Sequence, residues 1–146
     1  MAASAWIIFD NAKHALGNDE INLSADTFRL ALYSTAASAN ITGDITIQSS
    51  IGSESSGGGY PAGGTTLASN TWVESGGSVK FDATDPIFTA SSSVLSAVRY
   101  AAIVTSVAAT SGLCLCFAAL STANFNVSTG NTLTVQFASD GIFTLT

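Results

Sequence analysis

The sequence predicts an all-β fold: an antiparallel β-sandwich or jelly roll with one or two short helices. Two observations carry that prediction. Short segments with apolar alternation recur about every ten residues, and glycine-rich turns separate them. Only residues 10–16 and 45–51 read as brief helical turns. The chain has 146 residues, 47 % of them apolar, which excludes a disordered tail. A domain of this size buries roughly 68–70 % of the surface its unfolded chain exposes, so a core forms without staples. No internal repeat or linker interrupts it, and residues 1–146 are expected to form one domain.

The elements follow in order. Residues 5–9 (AWIIF) are an apolar run. Residues 10–16 (DNAKHAL) read as a helix with Asp10 as N-cap and Gly17 as its stop. Ile21 and Leu23 alternate around Asn22, which predicts a short strand. Residues 27–34 (TFRLALYS) give the clearest strand, with Phe28, Leu30 and Leu32 on one face and Arg29, Ala31 and Tyr33 on the other. Residues 35–60, rich in Ala, Ser, Asn and Gly, read as a long surface excursion. Strands are expected within 65–74, 78–82 and 86–88. A longer one spans 94–107, with Val98, Tyr100, Ala102 and Val104 on one face. Residues 113–120 (LCLCFAAL) are apolar on both faces, as in an inner or interface strand. Residues 131–138 alternate, and Asp140-Gly141 signals a hairpin or bulge before 142–145.

Charge is scarce. Asp, Glu, Lys and Arg make up 10 % of the chain, against about a quarter in a typical soluble domain. Residues 100–139 hold no charge at all, while Ser and Thr together number 38. A surface of hydroxyls, alanine and glycine is cheap to desolvate, because it buries no charge that needs a partner. That suits a building block pressed against neighbours. The net charge is −6, and Lys13, Arg29, Lys80 and Arg99 are scattered, so no basic stripe offers itself to nucleic acid. An acidic chain is also a poor ligand for anionic membranes. Hydroxyls and Arg99 interrupt residues 91–111, leaving no apolar run able to cross a ~30 Å hydrocarbon layer as a helix. Residues 1–9 lack the basic start of a signal peptide.

The catalytic inventory is thin. His14, the single histidine, reads as an exposed helix residue, and no serine stands in a Gly-x-Ser-x-Gly elbow. Asp82 and Asp85 are close enough for a calcium site or an acid/base pair, but read as a turn; Asp19 and Glu20 read likewise. Cys114 and Cys116, two apart on a strand, are expected on one face as reduced, packed thiols. Residues 53–64 (SESSGGGYPAGG) lack the lysine of a phosphate loop and read as a flexible turn delivering Tyr60 to a packed position. Trp6, Tyr33, Tyr60, Trp72 and Tyr100 offer either a sugar platform or packing, and packing is the better account. No catalytic, cofactor or metal residue is assigned.

Several motifs, taken in order, resemble a family of small virion proteins of tailed bacteriophages along nearly the whole chain. They are INLSADTFRLALYS (21–34), GGYPAGGTTL (58–67), VKFDATDPIFT (79–89), VRYAAIV (98–104) and GNTLTVQFASDGIFTLT (130–146). The resemblance implies a non-enzymatic structural role. It is nearest a capsid decoration, or cement, protein of the phage head, bound to the major capsid protein and to copies of itself as a dimer or trimer. The alternative is a tail or fibre component contacting a receptor or glycan. The chain departs from the family in being poorer in charge and richer in Ser and Thr. Residues 2–9 and 36–60 are the expected contact segments.

Overall fold

The computed structural model describes residues 4–39, 41, 44–106 and 112–146. In chain order the elements are β1 (Ile7–Ile8), α1 (Asp10–Gly17), β2 (Phe28–Tyr33), β3 (Thr65–Thr66), β4 (Thr71–Ser75), β5 (Ser78–Asp82) and β6 (Ile87–Thr89). They continue with β7 (Leu95–Val98), β8 (Tyr100–Thr105), β9 (Cys114–Ala119), β10 (Phe125–Val127), β11 (Thr132–Thr134) and β12 (Phe143–Leu145). Two 3₁₀ turns, Thr35–Ala39 and Gln48–Ser50, lie between β2 and β3. All strand pairs are antiparallel.

The fold is an antiparallel β-sandwich. Its larger sheet has the order β1-β9-β8-β2-β3, and a smaller one the order β12-β5-β4. The alternation in β2 aims Phe28, Leu30 and Leu32 at one face, and Phe28 meets Phe81 of β5 edge-on, with ring centroids 5.2 Å apart. Phe81 in turn packs on Phe143 of β12 at 5.4 Å. These rings join the two sheets. The remaining strands form two ribbons, β7–β10 and β6–β11, whose Val98, Val127, Phe88 and Leu133 enter the same core. β9 is inner, between β1 and β8, as its doubly apolar sequence required.

Residues 35–60 run over the surface, most of the described ones exposed, but the excursion is anchored to the sheet. Ala37, Ile41 and Ile51 are buried, and Ile47 bridges to Leu113 beside β9. Arg29, on the second face of β2, donates from Nη2 to Gln48 Oε1 at 3.2 Å, and Gln48 Nε2 donates to the Gly63 carbonyl at 3.2 Å. The segment therefore covers the face of the sheet opposite the Phe28–Phe81 contact. Its end also seals the edge of β2 beyond short β3. Ser34 N–H donates to the Ser53 carbonyl (3.0 Å) and Ser55 N–H to the Leu32 carbonyl (2.8 Å). Leu32 N–H donates to the Tyr60 hydroxyl (2.9 Å), which donates to Glu54 Oε1 (2.7 Å). Glycines let the chain come this close. A Cβ on Gly64, at φ +92°, would lie 2.3 Å from the Leu30 carbonyl oxygen. The turn around Tyr60 is thus close-packed as well as sharp.

Other boundaries differ from the sequence reading for local reasons. The residue capping α1 is Phe9, which is fully buried, and Asp10 instead pairs with Lys13 at 2.7 Å in the first turn. Ile21 and Leu23 are buried but not in a strand. Asn22 Oδ1 accepts from Ser24 N–H and Ala25 N–H at 3.0 and 3.1 Å, while Asp26 Oδ2 accepts from Asn22 N–H at 2.8 Å. Side-chain bonds to the backbone outcompete a strand this short. The expected strand over 94–107 divides into β7 and β8 at Arg99, two residues past the left-handed Ala97 (φ 57°), which lies inside β7 where its register with β10 shifts; Val107 lies outside the described residues. That over 65–74 divides at Ser69, with φ 53°.

If the ring contacts join the sheets, Phe81→Ala lowers unfolding free energy by about 3–5 kcal/mol in urea titration, the range for deleting a buried ring. Val73→Ala, on the exposed face of β4, changes it by no more than about 0.5 kcal/mol.

Candidate interaction surface

The residues singled out for chemistry are each used locally and do not converge. His14 is exposed, and its ring nitrogens lie 3.2 and 3.3 Å from the Asn18 side-chain amide. Asp82 accepts from Ala83 N–H through Oδ1 (2.9 Å) and meets Lys80 Nζ through Oδ2 (3.3 Å). Asp85 Oδ1 accepts from Phe137 N–H at 2.9 Å, tying its turn to the C-terminal segment. Asp19 and Glu20 sit exposed in the turn after α1. Among the described residues no three of His, Cys, Asp and Glu gather as a metal site would require. No helix among them is long and apolar enough to cross a membrane.

Cys114 and Cys116 are free and buried, but they do not share a face. Cys116 aligns with Ile103 and Cys114 with Val104, so a bulge at Leu115 sets the two thiols against opposite faces of β8. Spacing alone hides a bulge. Burial pushes the Cys114 thiol up to about 12 and Cys116 well above its ordinary value. Burial likewise raises the Tyr33 and Tyr60 phenols.

The aromatic residues are dispersed too. Trp6 packs on Phe137 at 5.7 Å, Tyr60 on Phe88 at 5.7 Å, and Trp72 on Phe143 at 6.2 Å, while Tyr33 is fully buried. Tyr100 lies under the Arg99 guanidinium at 4.9 Å. They form no common platform. Of the two expected contact segments, residues 4–9 are docked on β9. Ser4 N–H donates to the Ala119 carbonyl at 3.0 Å, leaving Ile7 as the outward apolar residue at 53 % exposure. Residues 2–3, 40, 42 and 43 of those segments lie outside the described residues.

A different surface emerges from the charge pattern once it is folded. β8 and β9, within the long neutral run, are core strands, so their lack of charge needs no neighbour to explain it. Residues 121–139 are another matter, because most of them are exposed. β10 and β11 line one open groove of about 310 Å³ floored by Phe125, Val127 and Leu133 and walled by Asn126, Ser128, Asn131 and Thr132. The partner strands β6 and β7 add no charge, and Ile87, Phe88 and Thr89 line a neighbouring groove with Tyr60 and Thr65. Ile87 of β6 is 61 % exposed, and Val94, just before β7, 40 %. Between Asp85 and Asp140 the sequence has one charged residue, Arg99. The ribbons β6–β11 and β7–β10 therefore form a neutral, hydroxyl- and amide-rich face with apolar residues exposed on it.

No protein-family model matches this chain, and no curated protein or solved structure matches it either.

The buried thiols give a pH test. An unfolded cysteine ionises near ~8.5, whereas the folded thiols stay protonated. Their contribution to stability is complete below that pH and is lost as pH rises towards 12. Urea midpoints are therefore expected to fall above pH ~8.5, and Cys114→Ala to lessen the fall. A thiol reagent at pH 8 is expected to label neither cysteine in the folded chain and both in urea.

Proposed function

We propose that this protein is a non-enzymatic structural component of a tailed-phage virion, a decoration protein that binds the major capsid protein and steadies the head. The observation that carries this reading is the neutral face of the two ribbons. Burying a charged surface costs desolvation that only precise pairing recovers, whereas a face of Thr, Asn, Ser and exposed Ile87 and Val94 is covered at little cost. The motif resemblance supports a virion, and a face without charge supports permanent coverage. Repetition by symmetry then lets many modest contacts act together on the shell.

Purified particles test it. Immunogold labelling or cryo-microscopy is expected to place the protein on heads; labelling confined to tails would favour the tail or fibre reading, and absence from particles would end both. Ile87→Lys with Thr132→Lys places two charges on the face at exposed positions. Head occupancy is expected to fall at least tenfold while the urea midpoint stays near that of the parent. Unchanged occupancy would remove the ribbon face from the account.

A further inference from the structure

Charge is distributed along the strand direction of the larger sheet. At the start of β2, residues 17–26 hold Asp19, Glu20 and Asp26 and no basic residue. They border a groove of about 450 Å³ whose apolar lining includes Leu16, Trp72 and Leu145, with Leu145 43 % exposed and Asp19 on the rim. Glu74 follows Trp72 by two positions on β4 and so lies on the same face of that strand. The groove is apolar at its floor and acidic at its rim.

The far end of β2 has the opposite character. Arg99 N–H donates to the Tyr33 carbonyl at 2.8 Å, which fixes Arg99 at that end. Of the segments meeting there, 34–38, 96–100 and 120–126 contain no acidic residue, while 53–55 brings Glu54, whose Oε1 is taken up by the Tyr60 hydroxyl and Gly63 N–H at 2.7 Å each. The guanidinium stacks on Tyr100 at 4.9 Å and reaches Thr35 Oγ1 at 3.3 Å. Among the described residues no carboxylate pairs with it. An arginine held over a tyrosine ring is a cation with an apolar backing, a composition enriched in binding hot spots. Six residues of β2 separate the two ends, roughly 17–20 Å, so cation and acidic groove of one molecule do not meet.

We propose that copies of this chain associate head to tail, the Arg99–Tyr100 end of one seated in the Leu16–Trp72–Leu145 groove of the next. Charge complementarity selects this occupant. The groove offers the Asp19 carboxylate and an apolar floor; the opposite end offers, on an aromatic ring, a guanidinium with which no carboxylate of the described residues forms an ion pair. The contact is heterologous, so it closes into a ring or runs on as a filament, according to the rotation between copies. It borders the ribbon β7–β10, whose residues 96–98 and 125–126 lie at the Arg99 end, and leaves β6–β11 outside the contact. The proposal goes beyond the virion assignment and does not depend on it. A chain that self-associates this way yet never joins a head would fail that assignment alone.

Sedimentation equilibrium of the isolated full chain tests it. Association is expected in low salt and to weaken at least tenfold by 0.5 M NaCl. Arg99→Glu, and separately Asp19→Asn with Glu20→Lys, are each expected to weaken it at least tenfold. Asparagine tolerates the left-handed backbone of Asp19, at φ 60°. Mixing the two charge-altered chains is expected to restore pairing to within threefold of the parent and to shift Trp72 emission. Since the Glu20 change lies on an exposed turn, it keeps the test open even if Arg99→Glu misfolds. A parent chain that stays monomeric at high concentration, association indifferent to both variants, or a mixture that does not pair would each overturn the proposal.

Discussion

A strand buried on both faces organises this molecule. β2 has Phe28, Leu30 and Leu32 against the smaller sheet and Tyr33 and Ala31 under residues 35–60. Such a strand leaves its backbone no water to bond, so every amide and carbonyl on it must find a protein partner. β8 supplies one side along the full six-residue length. On the other side β3 reaches only Arg29 and Leu30, and the rest is completed by Ser53, Ser55 and the Tyr60 hydroxyl. The glycine-rich segment, the long connection and the Glu54–Tyr60 bond all follow from that single need.

The same rule explains where charge is absent. Inside the larger sheet, β8 and β9 carry none because both their faces are covered by the chain itself. On the ribbons the chain covers only one face, and the outer one is still neutral. Neutral composition has two physical meanings here, core within the chain and, on our proposal, contact with another molecule. Only folding separates them. Arg99 lies at the margin of this neutral region, stacked on Tyr100.

Strong local signals were legible in the sequence. The alternation of β2, the strand over 78–82 and the doubly apolar run of β9 each read correctly, because a strand pattern needs only five or six residues to declare itself. β10 went unread, since Phe125-Asn126-Val127 is too short to show a period amid polar neighbours. The anchoring of residues 35–60 through Ala37, Ile41 and Ile51 was hidden by the small side chains around them, which fit a tight cover as readily as a solvated loop. The division of 94–107 comes at Arg99, close after one left-handed alanine, and the cysteine faces depend on one bulged residue; neither leaves a compositional trace. The neutral run was visible, but its functional part was not. Arg99 separates residues 86–98 from 100–139 in sequence, and the ribbons reunite them in space.

The central claim is that the outer face of the ribbons is covered by another subunit. Amide hydrogen exchange, compared between dilute isolated protein and protein bound on particles, addresses it most directly. The account predicts added protection concentrated in β6, β10 and β11, with β2 and β8 slow in both states. Protection gained elsewhere, with these ribbons exchanging equally fast in both, would contradict it.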